Sequence, residues 1–175
     1  MNLIHLNYKI DKKKYRKIFY DIHQKGEWYQ WKKFEPKLSW WKVYLQDSSD
    51  IRHLTKDVEQ DLGIWGMNTY PRFAYLFANN NVPPHVDEDD MTSIQINLFE
   101  KTPVMVVEGN QVSYECVLLE NGKLKHWVEP VNYDRLMLKF CIRHPWEEIV
   151  ARIPNEIQNR STVHTGTTQV HGRDT

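Results

Sequence analysis

Glu115–Ile142 reads ECVLLENGKLKHWVEPVNYDRLMLKFCI, and this stretch decides the fold. It holds the end of an apolar run at Gln111–Leu119 and two further runs, Leu124–Val128 and Arg135–Ile142. Each is short and rich in β-branched, leucine or aromatic residues, and turn formers separate them: Asn121-Gly122, then Asn132-Tyr133-Asp134. Runs of this length between such turns read as strands. Asn121-Gly122 is the strongest hairpin signal, because both residues tolerate the positive φ of a type I′ turn. In a meander of this kind, His126 and Arg135 reach the same barrel mouth from successive strands.

Working upstream, the same period continues. Asn68–Phe77, Thr92–Phe99 and Val104–Val107 are further strand candidates, punctuated by Asn79-Asn80-Asn81 with Pro83-Pro84 and by Gly109-Asn110. Before Gly63 the pattern is helical. Asp11 stands at an N-cap ahead of Tyr15, Ile18, Phe19 and Ile22, with Gly26 as the stop. Ser48 or Ser49 opens a second helix lined by Ile51, Leu54, Val58 and Leu62. A short strand precedes the first helix at Leu3–Ile10, another is expected at Trp40–Tyr44, and Pro145 can open a last helix through Arg152. Helices followed by six or more strands predict an α+β domain built on a sandwich or jelly-roll barrel. One domain over residues 1–154 follows, mainly helical support over 1–67 and the barrel core over 68–150. Residues 155–175 form a polar tail.

The 175 residues suffice for one core, and the 13% aromatic content argues against disorder. Formal charge balances at 23 against 23, so a polyanionic partner is not announced by net charge. Residues 1–50 nevertheless carry 11 Lys and Arg against 6 Asp and Glu, which keeps nucleic acid open as a partner. A solvated helix face is the plainer reading. Cys116 and Cys141 cannot form a disulfide framework and read as small buried hydrophobes. There is no apolar run of membrane-spanning length and no signal-peptide core near Met1. A reducing, cytoplasmic setting without membrane partners is the expectation.

The chemistry concentrates on four residues. His85 and Asp87 stand two positions apart, so in extended backbone both side chains reach one point. Imidazole and carboxylate on one face make two thirds of the triad that holds non-haem iron(II) with open positions. Among eight histidines and 23 acids such a pair arises about once by chance. The weight therefore comes from His126, on a downstream strand, and from Arg135, whose guanidinium matches a carboxylate bidentately.

His85-Val86-Asp87, then His126, then Arg135 leading Leu136-Met137-Leu138-Lys139-Phe140, resembles the Fe(II)/2-oxoglutarate-dependent oxygenase superfamily. The stretch quoted first is similar to the closing strands of its small, phage-type and aspartyl β-hydroxylase-like members. The resemblance implies a double-stranded β-helix (a jelly-roll or cupin-like barrel) with amino-terminal supporting helices. It implies His85, Asp87 and His126 as iron ligands and catalytic centre, with Arg135 on the distal carboxylate of 2-oxoglutarate. Tyr75 resembles the tyrosine that assists that carboxylate, and Asn97 is a further cosubstrate contact. The implied cofactors are Fe(II), 2-oxoglutarate and O2. The implied activity is a dioxygenase that hydroxylates a C–H bond and releases succinate and CO2. Many aspartyl β-hydroxylases lack the acidic ligand that Asp87 supplies, so that subgroup's substrate does not transfer.

A peptide side chain, an amino acid and a nucleotide all remain open as substrate. A non-catalytic jelly-roll binding module with a structural or vestigial metal site is the alternative from another class, and metal-dependent hydrolysis on a cupin-like barrel is a third. His144 reads as structural, and His164 and His171 as parts of the tail. The Trp28, Trp31, Trp40, Trp41 cluster reads as core packing rather than a base-stacking platform. Arg72 is placed either at the mouth or in an outward ion pair.

Overall fold

The computed structural model describes residues 1–23, 29–30, 41–44, 48–87 and 92–159. Among them the order is β1 (Leu3–Leu6), α1 (Lys12–His23), β2 (Tyr29–Gln30), β3 (Trp41–Tyr44), α2 (Ser48–Leu54), α3 (Lys56–Asp61), β4 (Thr69–Leu76), β5 (Val82–His85), β6 (Thr92–Asn97), β7 (Val104–Val107), β8 (Asn110–Ser113), β9 (Cys116–Leu119), β10 (His126–Val128), β11 (Arg135–Ile142), α4 (Trp146–Arg152) and β12 (Gln158–Asn159). Two antiparallel sheets result. The larger runs β12-β1-β9-β6-β11-β4-β3-β2, and the smaller runs β5-β10-β7-β8. This is the α+β jelly roll, a double-stranded β-helix, that the strand pattern predicts.

β11 organises the larger sheet. It pairs along its whole length with β4 and over six positions with β6. Alternation gives it two faces. Leu136, Leu138, Phe140 and Ile142 join Tyr15, Phe19 and Ile22 of α1, Ile51 and Val58 of the next helices, and Ile149 of α4 in one buried cluster. Arg135, Met137, Lys139 and Cys141 take the opposite face, where Leu76, Val82, Val107, Val112, Tyr114 and Val128 form a second cluster. Burying each such apolar side chain contributes about 1.5–3 kcal/mol, so the helices are held by the even-numbered residues of β11 and its neighbours. The odd-numbered residues are left for a site.

Several sequence expectations meet their test here. Asp11 caps α1 as expected, its Oδ1 accepting the Lys14 N–H at 3.0 Å. The second helix is broken in two at Thr55, whose Oγ1 bonds back to the Ile51 carbonyl at 3.0 Å. Pro83-Pro84, expected as a turn, lie inside β5, where an edge position asks less of the missing N–H groups. Gln111–Leu119 is two strands, β8 and β9, in different sheets.

The expected Asn121-Gly122 hairpin is not formed. Neither residue has a positive φ, and β9 and β10 belong to different sheets, so this turn carries the chain across the barrel. The tight hairpin is at Glu108 and Gly109, with φ of 49° and 79°, between the paired Val107 and Asn110. The meander placement of His126 and Arg135 falls with it, because β10 and β11 lie in opposite sheets. Gln158 and Asn159, assigned to the tail from sequence, pair with β1. Gly26, Trp28, Trp31, Trp40, the acidic run 88–90, His164 and His171 lie outside the described residues. Among the described residues no helix is long and apolar enough to cross a membrane.

Candidate metal centre

The smaller sheet brings the two histidines together. β5 and β10 pair antiparallel with His85 directly opposite His126, and their ring centroids are 4.3 Å apart. Two residues beyond His85, the backbone N–H of Asp87 donates to the Asn121 carbonyl at 3.0 Å, which turns the carboxylate toward the same point. His85 Nε2 lies 3.2 Å from Asp87 Oδ1, and His126 Nε2 lies 3.9 Å from Asp87 Oδ2. One ligand atom from each of the three falls within 4.8 Å of the others. That cluster is compatible with a single ion.

Both imidazoles are held in the same way. His85 Nδ1 lies 2.8 Å from the Pro83 carbonyl, and His126 Nδ1 lies 2.9 Å from that of Leu124. A carbonyl only accepts, so Nδ1 carries the proton in each ring and Nε2 keeps its lone pair for the centre. Burial pushes His126 down to about 4, so it is neutral at ordinary pH. Burial works against the Asp87 charge, but the Lys139 ammonium beside it outweighs burial and holds the carboxyl far below its usual range. The donor set is two imidazoles and one carboxylate, which suits iron(II).

The larger sheet supplies cations facing this cluster. Lys139 Nζ lies 2.8 Å from Asp87 Oδ2. Arg135, four residues along the same face of β11, is 4% exposed, and its Nη1 and Nη2 make no hydrogen bond among the described residues. Two buried guanidinium nitrogens without partners are costly, and a bidentate carboxylate would satisfy both. Tyr114 is buried beside it: burial raises its phenol, the Arg135 charge opposes that rise, and its hydroxyl donates to Gln95 Oε1 at 3.3 Å.

Two sequence candidates are engaged elsewhere. Tyr75 pairs in register with Leu136, not Arg135, and so faces the helices. It stacks on Phe19 with ring centroids 5.6 Å apart, and its hydroxyl bonds to Asp134. Asn97 spends its amide on the turn after β6: Nδ2 donates to the Phe99 and Lys101 carbonyls at 2.8 and 3.1 Å, and Oδ1 accepts the Phe99 N–H. Arg72 stands opposite Lys139 on the barrel face and contacts Cys141 Sγ, so its place is inward. His144 is structural, bridging the Asn68 N–H and Glu148. Cys116 and Cys141 are both buried and form no disulfide among the described residues.

No family model and no curated protein matches the sequence. Solved structures do. A prolyl hydroxylase from Trichoplax adhaerens, in complex with a hypoxia inducible factor oxygen degradation domain peptide fragment, superposes with a TM-score of 0.59 at 13% identity, covering 85% of this chain and 84% of its own. A prolyl-4-hydroxylase from Pseudomonas putida gives 0.51 at 16% identity, covering 77% and 88%. The fold is shared with these prolyl hydroxylases. At these identities the likeness is one of fold. Sequence reasoning missed Tyr114, Gln95, Lys139 and Asn121. Tyr114 could have been found, since Val112, Tyr114 and Cys116 alternate as buried residues with exposed Gln111, Ser113 and Glu115. Lys139 carried the same signal, as the second cation on one face of an otherwise apolar strand.

Proposed function

We propose that this chain is an Fe(II)- and 2-oxoglutarate-dependent dioxygenase that hydroxylates a C–H bond of its substrate. One observation carries the reading: the buried Arg135 guanidinium, whose Nη1 and Nη2 have no hydrogen-bond partner among the described residues, stands on the face of β11 from which Lys139 reaches Asp87 of the His85, Asp87 and His126 cluster. A metal-only structural site gives no reason to bury that charge, whereas a dicarboxylate bound at the metal does.

In this reading His85, Asp87 and His126 hold the metal, and three coordination positions stay open. Arg135 fixes the distal carboxylate of the cosubstrate, and Tyr114 lies where its hydroxyl can join that contact. Met137, Val107 and Val128 line a dry interior that keeps water from the reacting centre. When bound, iron(II) with 2-oxoglutarate and O2 supplies the oxidising power for C–H hydroxylation, with succinate and CO2 as co-products. One of the similar structures holds a peptide, so a peptide side chain is the first substrate class to test, ahead of a free amino acid or a nucleotide.

Anaerobic titration with iron(II) and 2-oxoglutarate tests the proposal. Wild type should develop the weak visible charge-transfer band of the metal-bound chelate, His126→Ala should not, and aerobic incubation should turn 2-oxoglutarate into succinate. No band with wild type, or the same band in His126→Ala, overturns it in favour of a non-catalytic jelly-roll module.

A further inference from the structure

Asp87 is gripped from one side only. Its Oδ2 receives the side-chain amide of Asn121 and the ammonium of Lys139, the latter at 2.8 Å. Its backbone N–H is taken by the Asn121 carbonyl at 3.0 Å. Oδ1 accepts from neither donor and lies 3.2 Å from His85 Nε2. Two donors on one carboxylate oxygen occupy its lone pairs and leave the other oxygen to meet a cation.

Asn121 is unusual for a turn residue. It is fully buried, and its Oδ1 makes no hydrogen bond among the described residues. Burying an amide oxygen unpaired is costly, so the turn alone does not explain an asparagine there. The bond from its Nδ2 to Asp87 does. Lys139 reaches the same oxygen from β11 in the opposite sheet.

We propose that Asn121 and Lys139 are positioning residues that clamp Asp87 through Oδ2, so that Asp87 offers only Oδ1 and binds metal through a single oxygen. The clamp rests on the reading of His85, Asp87 and His126 as a metal centre. With Oδ2 so occupied, a bound metal would be held by His85, His126 and one oxygen of Asp87, leaving room for further ligands. Lys139 also cancels the Asp87 charge, which leaves a divalent ion its full attraction for an anionic ligand.

The probe is cobalt(II) alone, added under anaerobic conditions, with affinity and the visible absorption spectrum as readouts. Asn121→Ala keeps the backbone bond to Asp87, and with no positive φ at that position alanine fits the turn. It should weaken cobalt(II) binding about 10- to 100-fold, the usual effect of losing a hydrogen bond to a ligand, and shift the spectrum as Oδ2 loses one of its two donors. Lys139→Met, on another element, should shift the spectrum in the same sense, and it carries the test through its spectrum if Asn121→Ala does not fold. Wild-type affinity and spectrum in Asn121→Ala overturn the clamp while leaving the metal centre standing. Absence of cobalt(II) binding by wild type itself overturns the metal centre, and the clamp with it.

Discussion

His85 and His126 face one another across an antiparallel pair, and each ring is tethered through Nδ1 to the carbonyl two residues before it. The tether needs only the strand's own backbone, so both rings are oriented before any ion arrives. Replacing either ring by alanine should therefore abolish metal binding while leaving the fold intact. Iron(II) or cobalt(II) affinity should fall at least about 100-fold, with the melting curve of the metal-free protein little changed.

Arg135 gives a prediction of opposite sign in the two states. Without cosubstrate its buried guanidinium is a burden, so Arg135→Met should raise the melting temperature of the metal-free protein. With metal and 2-oxoglutarate at about 100 times its dissociation constant, wild type should gain roughly 2.7 kcal/mol and the variant almost nothing. Thermal shifts with and without 2-oxoglutarate read both effects.

The two tyrosines separate site from scaffold. Tyr114→Phe should weaken 2-oxoglutarate binding about 10-fold, the worth of one hydrogen bond to a charged group. Tyr75→Phe should leave that affinity unchanged and lower stability instead, because its hydroxyl serves Asp134 on the helix side. Isothermal titration of 2-oxoglutarate in the presence of a redox-inert divalent metal distinguishes them.

Much of this was readable from residue order and some was not. Strand period and the Asp11 cap are local patterns, and both hold in the structure; His85, Asp87 and His126, singled out in the sequence, lie together there. What failed depends on which sheet a strand joins. Asn121-Gly122 has ideal hairpin chemistry, yet its asparagine is drawn to Asp87, and the chain changes sheets there. The resemblance implies Tyr75 beside the carboxylate that Arg135 would hold, but register decides faces, and one residue of register separates Leu76, opposite Arg135, from Tyr75. Lys139 and Asn121 meet Asp87 only through tertiary contact, 52 and 34 residues away.

The two faces of β11 should also separate stability from chemistry. Leu138→Ala removes a fully buried side chain from the helix-side core and should cost about 2–5 kcal/mol. Its neighbour Lys139 points the other way, so metal affinity of the folded Leu138→Ala protein should stay at the wild-type value. Urea unfolding and cobalt(II) titration on the same sample check both halves.

Glu59 supplies a pH dependence remote from the centre. It is fully buried; its Oε1 accepts from Thr69 at 3.0 Å, and Arg52 Nε stands 3.5 Å from Oε2. Burial raises its carboxyl above the usual value, against the lesser pull of Thr69 and Arg52. A carboxyl raised in the folded state destabilises the protein wherever it is ionised, and the penalty fades as pH falls through the folded value to the unfolded one. Glu59→Gln should thus melt higher than wild type at pH 7, and the gap should close on acidification toward the normal glutamate range.

The division of the site between two sheets has a consequence for when it exists. His85 and His126 meet only after β5 and β10 pair, and Lys139 and Arg135 meet them only after the sheets close face to face. Every one of these contacts joins distant parts of the chain, which makes the topology a slow one to assemble. During synthesis, no nascent chain ending before residue 126 can offer both imidazoles, and none ending before 139 can offer the whole wall. On the proposed reading, metal capture therefore waits for both sheets to close, and a product cut before residue 139 lacks part of the wall that completes the centre.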